Sequence, residues 1–424
     1  MTTNVKSRNV AIGAAVLGNM LEWFDFAVYS YVATIIAKHF FPAGDDVAAL
    51  LATFAVFGLG FVIRPLGAFV VGRLGDLKGR KITLIITIFL MAAGTIMIGL
   101  IPSYASIGIA APLLLVLARL LQSFSVGGEF ATSIAYIVEW APEGKRGYFG
   151  SFQQISTVGG LLLGSGVAAV LNTTLDTAAM ESWGWRIPFL LGGLIGVVGF
   201  FMRRKVGETP AFELAMSQPA PSEEAEAVET SPALLAAKAF GFAIIWTVSF
   251  YIFLFYMPTF TQRFAGLSRA EALWSNAAGL LVLMLAIPFM GRLSDRIGRK
   301  PLLLTCCALF IILPYPLFQL MQVSGSVWAI AAIQLLVGLT ISLYAGTAPA
   351  TMVEIFRTKN RSTYMSIGYA LAATIFGGFA PFIATWLISV TGSPLSPTFY
   401  VMGAAIISGL TVLTLKETAH LPLR

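Results

Sequence analysis

Long apolar runs recur down the chain, separated by short clusters of charged, glycine or proline residues. Ile82 to Ile101 and Leu302 to Met321 are each long enough to cross a hydrocarbon layer of roughly 30 Å at about 1.5 Å per residue. Breaking the chain at the clusters predicts spans at 10–37, 49–72, 82–101, 112–138, 149–171, 187–202, 239–261, 272–291, 302–322, 327–353, 363–389 and 398–415. The pattern therefore predicts an all-α membrane protein with twelve transmembrane helices. The run from Val10 to Ala37 is too long for the core of a cleavable leader and contains Glu22 and Asp25, so it reads as span 1.

Composition agrees. The 424 residues are 57% hydrophobic and only 11% charged, against about a quarter charged in soluble domains. Of the 27 Lys and Arg residues, 21 fall on the side of the N-terminus. Lys38, Arg186, Arg263 and Arg269 fall on the other, and Arg64 and Arg119 lie within spans. Positive residues concentrate in cytoplasmic loops, so both termini are expected in the cytoplasm, and the net charge of +7 needs no nucleic-acid partner. Cys306 and Cys307 are adjacent, and His39 and His420 sit near span ends, which supports no metal site, cofactor or catalytic constellation. The expectation is not an enzyme. Lys205 to Pro232 is rich in Pro, Ser, Ala and Glu and cannot bury a core. It divides the chain into residues 1–204, a cytoplasmic linker at 205–235, and residues 236–424.

A repeat supports this division. Gly72-Arg73-Leu74-Gly75-Asp76-Leu77-Lys78-Gly79-Arg80-Lys81 recurs as Gly291-Arg292-Leu293-Ser294-Asp295-Arg296-Ile297-Gly298-Arg299-Lys300. Glu139 and Arg146 after span 4 pair with Glu354 and Arg361 after span 10. Two six-helix halves follow, with a substrate site between them near the bilayer midplane. The paired loops resemble the signature of the major facilitator superfamily. Gly18-Asn19-Met20-Leu21-Glu22-Trp23-Phe24-Asp25-Phe26, Ile63-Arg64-Pro65-Leu66-Gly67, Arg119-Leu120-Leu121-Gln122, Gly127-Gly128-Glu129, Trp183-Gly184-Trp185-Arg186-Ile187-Pro188-Phe189 and Ile375-Phe376-Gly377-Gly378 look like its metabolite:proton symporter family. That resemblance implies the major facilitator fold and proton-driven uptake of citrate, α-ketoglutarate, shikimate, proline or betaine across a bacterial cytoplasmic (inner) membrane. Departures occur at Ser123, where many relatives carry Gly, and at Ala131-Thr132. Gly160 and Gly164 are followed by Ser165 and not by the proline of drug exporters, so import is the stronger reading.

Glu22, Asp25, Arg64, Arg119 and Glu129 fall within spans, at a cost of roughly 2.5–3.5 kcal/mol each at a helix centre, so they should face the interior and pair. A purely structural ion network is the competing reading. Arg119 offers a planar fork for a carboxylate. Gln122, Gln153, Gln154, Tyr29, Tyr251 and Tyr344 are the other candidates to line a substrate site, although packing is the commoner duty of any one of them. Asp25, Glu22 and Glu129 are candidates to carry the coupled proton, and Arg64 to form an intramembrane ion pair. Asp76, Arg80, Asp295, Arg299, Glu139, Arg146, Glu354 and Arg361 are candidates for a cytoplasmic gate, or simply fix topology by their charge. Pro258, Pro288, Pro349 and Pro381 mark places for kinks. The expected partners are a small organic anion, protons and the lipid bilayer, with the protein a monomer. A di- or tricarboxylate such as citrate is the leading substrate and a zwitterionic osmolyte such as proline or betaine the alternative. Osmosensing relatives tend to carry a long C-terminal coiled coil, whereas this chain ends at Leu423-Arg424, which points to the organic acid. A receptor or channel is the reading from a different class.

Overall fold

The computed structural model describes residues 19–20, 22–42, 44–78, 80–126, 134, 137–138, 141–204, 232–355 and 361–421. Every expected span is answered by a helix. Span 1 is helical over 22–40 apart from a turn at Val32. Spans 2 to 6 are Asp46–Lys78, Arg80–Leu100, Ala110–Val126, Arg146–Thr174 and Ile187–Arg204. Span 7 runs as Pro232–Phe250, Tyr251–Tyr256 and Met257–Phe264, and span 8 is Arg269–Ile297. Span 9 is Arg299–Ile312 with Pro314–Ser324, and span 10 is Val327–Ala345 with Ala348–Glu354. Span 11 comprises Arg361–Ala372, Ala373–Gly378 and Ala380–Thr391, and span 12 is Ser396–Thr414. Several helices overrun their expected limits, as span 5 does by starting at Arg146, because polar and charged residues at a helix end stay helical beyond the apolar run that hydropathy reads. Among the described residues, seven helices are by themselves long and apolar enough to cross a membrane, and span 9 adds an eighth if its bent pair counts as one.

Large apolar side chains cover the outside, among them Phe69, Phe289 and Trp328, the reverse of a soluble protein and the arrangement lipid requires. Within the first bundle, span 2 packs on span 4 and span 3 on spans 4 and 6. In the second, span 8 packs on span 10 and span 7 on spans 11 and 12. The bundles meet along spans 5 and 8 and along spans 2 and 11. Missing side chains allow two of the closest approaches: a Cβ on Gly160 would lie 2.3 Å from Met20 O of span 1, and one on Gly291 would lie 2.6 Å from Gly147 O. The glycine that opens the second copy of the motif is thus a contact point between halves. Ser123, the departure from the family pattern, packs its hydroxyl at the site of Gly60 on span 2.

The prolines behave unequally. Wide π turns precede Pro258 and Pro381, and a break at Gly346 and Thr347 precedes Pro349, but Pro288 lies in an unbroken helix. Span 9 also bends, by 49° at Pro314, a proline not among those expected to kink. A proline leaves the carbonyl four residues earlier without its helical partner. Two such carbonyls are recruited across the halves: Leu254 O, preceding Pro258, accepts from the Tyr31 hydroxyl at 3.0 Å, and Phe61 O, preceding Pro65, accepts from the Thr374 hydroxyl at 3.2 Å. Backbone groups freed in lipid must find a partner, and here the partner belongs to the opposite bundle.

Candidate functional site

A small cavity lies between the halves where spans 1, 5, 7 and 11 converge. Its wall is aromatic, formed by Trp23, Trp246, Phe250, Tyr251 and Tyr369, with Gln154, Thr157 and Thr247 as the polar lining. Span 5 is held against span 1 by Asn19, whose amide donates to Ser156 at 2.6 Å and Thr157 at 3.1 Å. Gln154 donates to Gln153 Oε1 at 2.7 Å, which leaves Gln154 Oε1 and Gln153 Nε2 without a protein partner.

Behind this wall sit the intramembrane charges. Arg64, Glu22 and Arg119 all lie within electrostatic reach of the Tyr251 hydroxyl. Arg64 rests over the Phe61 ring at 4.0 Å and the Phe26 ring at 4.8 Å. Arg119, 1% exposed, rests over Tyr29 at 4.5 Å, Phe26 at 4.7 Å and Phe57 at 5.0 Å. Desolvated cation–π contacts are worth about 2 kcal/mol, comparable with the cost of placing one such charge in a span. Two arginines, Arg64 and Arg119, and two carboxylates, Glu22 and Asp25, thus share the described core.

Arg119 and Asp25 do not pair directly. Arg119 Nη1 donates to Gln122 Oε1 at 2.9 Å, Gln122 Nε2 donates to Thr95 Oγ1 at 2.8 Å, and Thr95 Oγ1 donates to Asp25 Oδ2 at 2.6 Å. Arg119 Nε and Nη2 and Asp25 Oδ1 have no protein partner. Asp25 faces spans 3 and 6, where a Cβ on Gly192 would lie 2.1 Å from Oδ1. Glu22, one turn earlier and also buried, lies near Tyr251 and Tyr369 of the cavity wall. The other candidates scatter. Tyr29 supports Arg119 with its ring and donates to Thr53 O at 3.0 Å, whereas Tyr344 donates to Phe242 O at 2.6 Å inside the second bundle, away from the cavity. Glu129 and Glu139 lie outside the described residues, as do the side chains of Asp76, Arg80 and Arg361.

On the side of the repeated loops, four candidate gate residues form one buried cluster. Glu354 accepts from Arg146 at 3.1 Å and from Arg299 at 3.1 Å, and Arg299 also meets Asp295 at 2.9 Å. Asp295 further accepts from the backbone N–H of Gly147 at 2.8 Å and Tyr148 at 2.9 Å, the open donors at the start of span 5. The segment after span 12 binds into the same cluster: Thr418 donates to Glu354 at 2.7 Å, and Ala419 O and Leu421 O accept from Arg146. Burial pulls the Glu417 carboxyl upward, but backbone N–H groups of Arg299, Ala419, Lys300 and Thr418 together hold it below its ordinary value.

At the opposite end a second set of polar contacts crosses between the halves. Glu181, between spans 5 and 6, accepts from Arg269 at the start of span 8 at 2.6 Å and from Lys38 at 3.2 Å. The Arg269 hydrogen bond holds the Glu181 carboxyl below its usual range. Nearby, Trp274 donates to Thr173 at 3.1 Å across the same seam. Trp23, Thr95, Thr157, Thr247, Phe250 and the Glu181–Arg269 pair were not among the sequence candidates. Neutral hydroxyls and rings within apolar spans look like packing until their neighbours are known, whereas Trp23 could have been found from its place beside Glu22.

Comparison with known proteins accounts for the architecture. Residues 10–238 match the family model described as "Sugar (and other) transporter", and residues 265–423 match "Major Facilitator Superfamily". The chain is 34% identical to the proline/betaine transporter of Escherichia coli (strain K12), over 98% of this chain and 84% of that one. It is 36% identical to the alpha-ketoglutarate permease of the same strain, over 98% and 95% of the two chains. The citrate-proton symporter of Klebsiella pneumoniae is 36% identical over 96% and 91%. Among solved structures, the inward open conformation of the xylose transporter XylE from E. coli superposes with a TM-score of 0.75 at 18% identity, over 96% of both chains, a likeness of fold.

Proposed function

The chain belongs to the major facilitator superfamily, within its metabolite:proton symporters, and from that premise we propose that it couples proton entry to import of a small organic acid. The leading substrate is a di- or tricarboxylate such as citrate, moved by alternating access across a bacterial inner membrane with both termini in the cytoplasm. The observation that carries this reading is Arg119. It is a fully buried guanidinium with Nε and Nη2 unpartnered beside the seam between the halves. Buried donors of a charged group are rarely left open without a ligand to take them, and an arginine fork matches a carboxylate in two parallel bonds. Asp25 or Glu22 carries the coupled proton, Tyr251 links the cavity to the arginines, and the contacts at the two ends are the gates whose alternate opening moves solute.

The second reading is uptake of a zwitterionic osmolyte such as proline or betaine. The aromatic wall of Trp23, Trp246, Phe250, Tyr251 and Tyr369 favours it, because ring faces attract a quaternary ammonium. Counterflow in proteoliposomes with labelled citrate, α-ketoglutarate, proline and glycine betaine separates the two. Arg119→Lys is expected to weaken affinity for whichever solute is carried by about 10- to 150-fold, the loss of a charge-assisted bond worth about 1.5–3 kcal/mol. Unchanged affinity overturns the anion site, and no counterflow with any solute by the parent overturns both readings.

A further inference from the structure

We propose that Thr95 and Gln122 are the positioning residues that link solute binding at Arg119 to proton binding at Asp25, an inference that rests on reading Arg119 as the anion site. Every donor in the chain from Arg119 to Asp25 points the same way: Arg119 gives to Gln122, Gln122 to Thr95, and Thr95 to Asp25. The cation stands at the donor end and the carboxylate at the acceptor end, so each bond polarises the next. Gln122 has no freedom to flip, because its amide nitrogen faces a hydroxyl and its oxygen faces a guanidinium.

Thr95 has one hydrogen and two acceptors within reach, since Met91 O lies 2.9 Å from Oγ1 as well. When a proton from the water on the loading side forms an O–H bond at Asp25 Oδ2, that group becomes the donor. The Thr95 hydrogen then turns to Met91 O, and the last bond of the chain reverses. The charge that polarised the chain is gone, so Gln122 holds Arg119 Nη1 more weakly. Nη1 is thereby more readily given up to a solute carboxylate, beside the open Nε and Nη2. On release the proton leaves Oδ2 for water on the far side, and no other group changes charge. The coupling is reciprocal: a carboxylate on Arg119 neutralises the cation at the other end of the chain and so favours the proton on Asp25. Solute and proton load together and leave together, which is the condition for symport.

The surroundings of Asp25 leave this route dominant. Span 3 presents Thr95 and span 6 presents Gly192, both neutral. Span 4 supplies Arg119, span 2 supplies Arg64 across the Phe26 ring, and Glu22 lies one turn away on the same helix. Thr95 also sits where its substitution changes little volume, because valine has nearly the same shape as threonine and lacks only the hydroxyl.

The test uses the full-length protein in proteoliposomes, with citrate, α-ketoglutarate, proline and glycine betaine as probes. A one-unit pH gradient supports about tenfold accumulation per coupled proton. Thr95→Val is expected to keep measurable exchange of the transported solute while accumulation falls towards onefold and the pH dependence of its apparent Kd flattens. Thr95→Ser is expected to restore both. Independently of any solute, the C=O stretch of protonated Asp25, identified by its loss in Asp25→Asn, should titrate at a different pH in Thr95→Val and at the parental pH in Thr95→Ser. Parental accumulation or a parental Asp25 titration in Thr95→Val overturns the proposal, as does failure of Thr95→Ser to rescue. If Arg119→Lys instead keeps parental affinity while Thr95→Val still shifts the Asp25 band, the anion site falls and the Thr95–Asp25 contact stands.

Discussion

Asp295→Asn tests the loop-side gate directly. Asp295 belongs to the second half, and its carboxylate accepts from the N–H groups of Gly147 and Tyr148 in the first half at 2.8 and 2.9 Å. Its bond to Arg299 lies within the second half and does not cross to the first. Only the first two contacts therefore bias the open–closed equilibrium. An asparagine accepts through one atom where the aspartate accepts through two, and it removes the charge from the end of the span 5 dipole. A charge-assisted bond is worth about 1.5–3 kcal/mol and the dipole term about 0.3–1 kcal/mol. The closed end should thus lose about 2–4 kcal/mol, or about thirty- to a thousandfold in equilibrium at about 1.4 kcal/mol per decade. Ser151 is fully buried against Gly291 in this seam, so Ser151→Cys in a Cys306→Ala, Cys307→Ala background reports opening through its rate of maleimide labelling. The expectation is at least tenfold faster labelling when Asp295→Asn is added. A rate within twofold of the parent refutes the argument that this carboxylate holds the halves together.

Glu181→Gln should act in the opposite sense, slowing labelling of the same cysteine by up to about fivefold, since partly exposed ion pairs contribute about 0.2–1 kcal/mol; faster labelling would refute an outer latch. The Glu181 carboxyl is held below its ordinary value of 4.5. Its contribution is therefore complete above that value and is lost as external pH falls through the lowered one, so between about pH 5 and 8 the substitution should scale uptake without changing its pH profile. Gly160→Ala places a Cβ 2.3 Å from Met20 O, whereas Gly166→Ala meets nothing within 4 Å; thermal unfolding should show the first destabilised by about 1–3 kcal/mol relative to the second, and equal melting would contradict the close packing of spans 1 and 5.

The amino-acid sequence alone determined the helices and their count, the repeat, and which residues carry charge inside a span. Those properties are local: a run of apolar residues of sufficient length must cross the bilayer whatever its neighbours do, and each buried charge announces itself by its cost. Asp295, Arg299, Arg146 and Glu354 were visible for the same reason, as charges at span ends in repeated positions. The tertiary structure decided how those charges are connected. The sequence shows that Arg119 and Asp25 both lie within spans, but only the rotation of spans 1, 3 and 4 about their axes puts Gln122 and Thr95 between them. Tyr344 is as plausible a lining residue as Tyr251 by composition, yet helix rotation turns one into its own bundle and the other into the cavity. A threonine in a span costs little to insert and leaves no mark in hydropathy, and a carbonyl freed by proline is silent until another helix supplies its donor. Such features depend on the relative orientation of helices distant in sequence, which packing sets and local pattern does not.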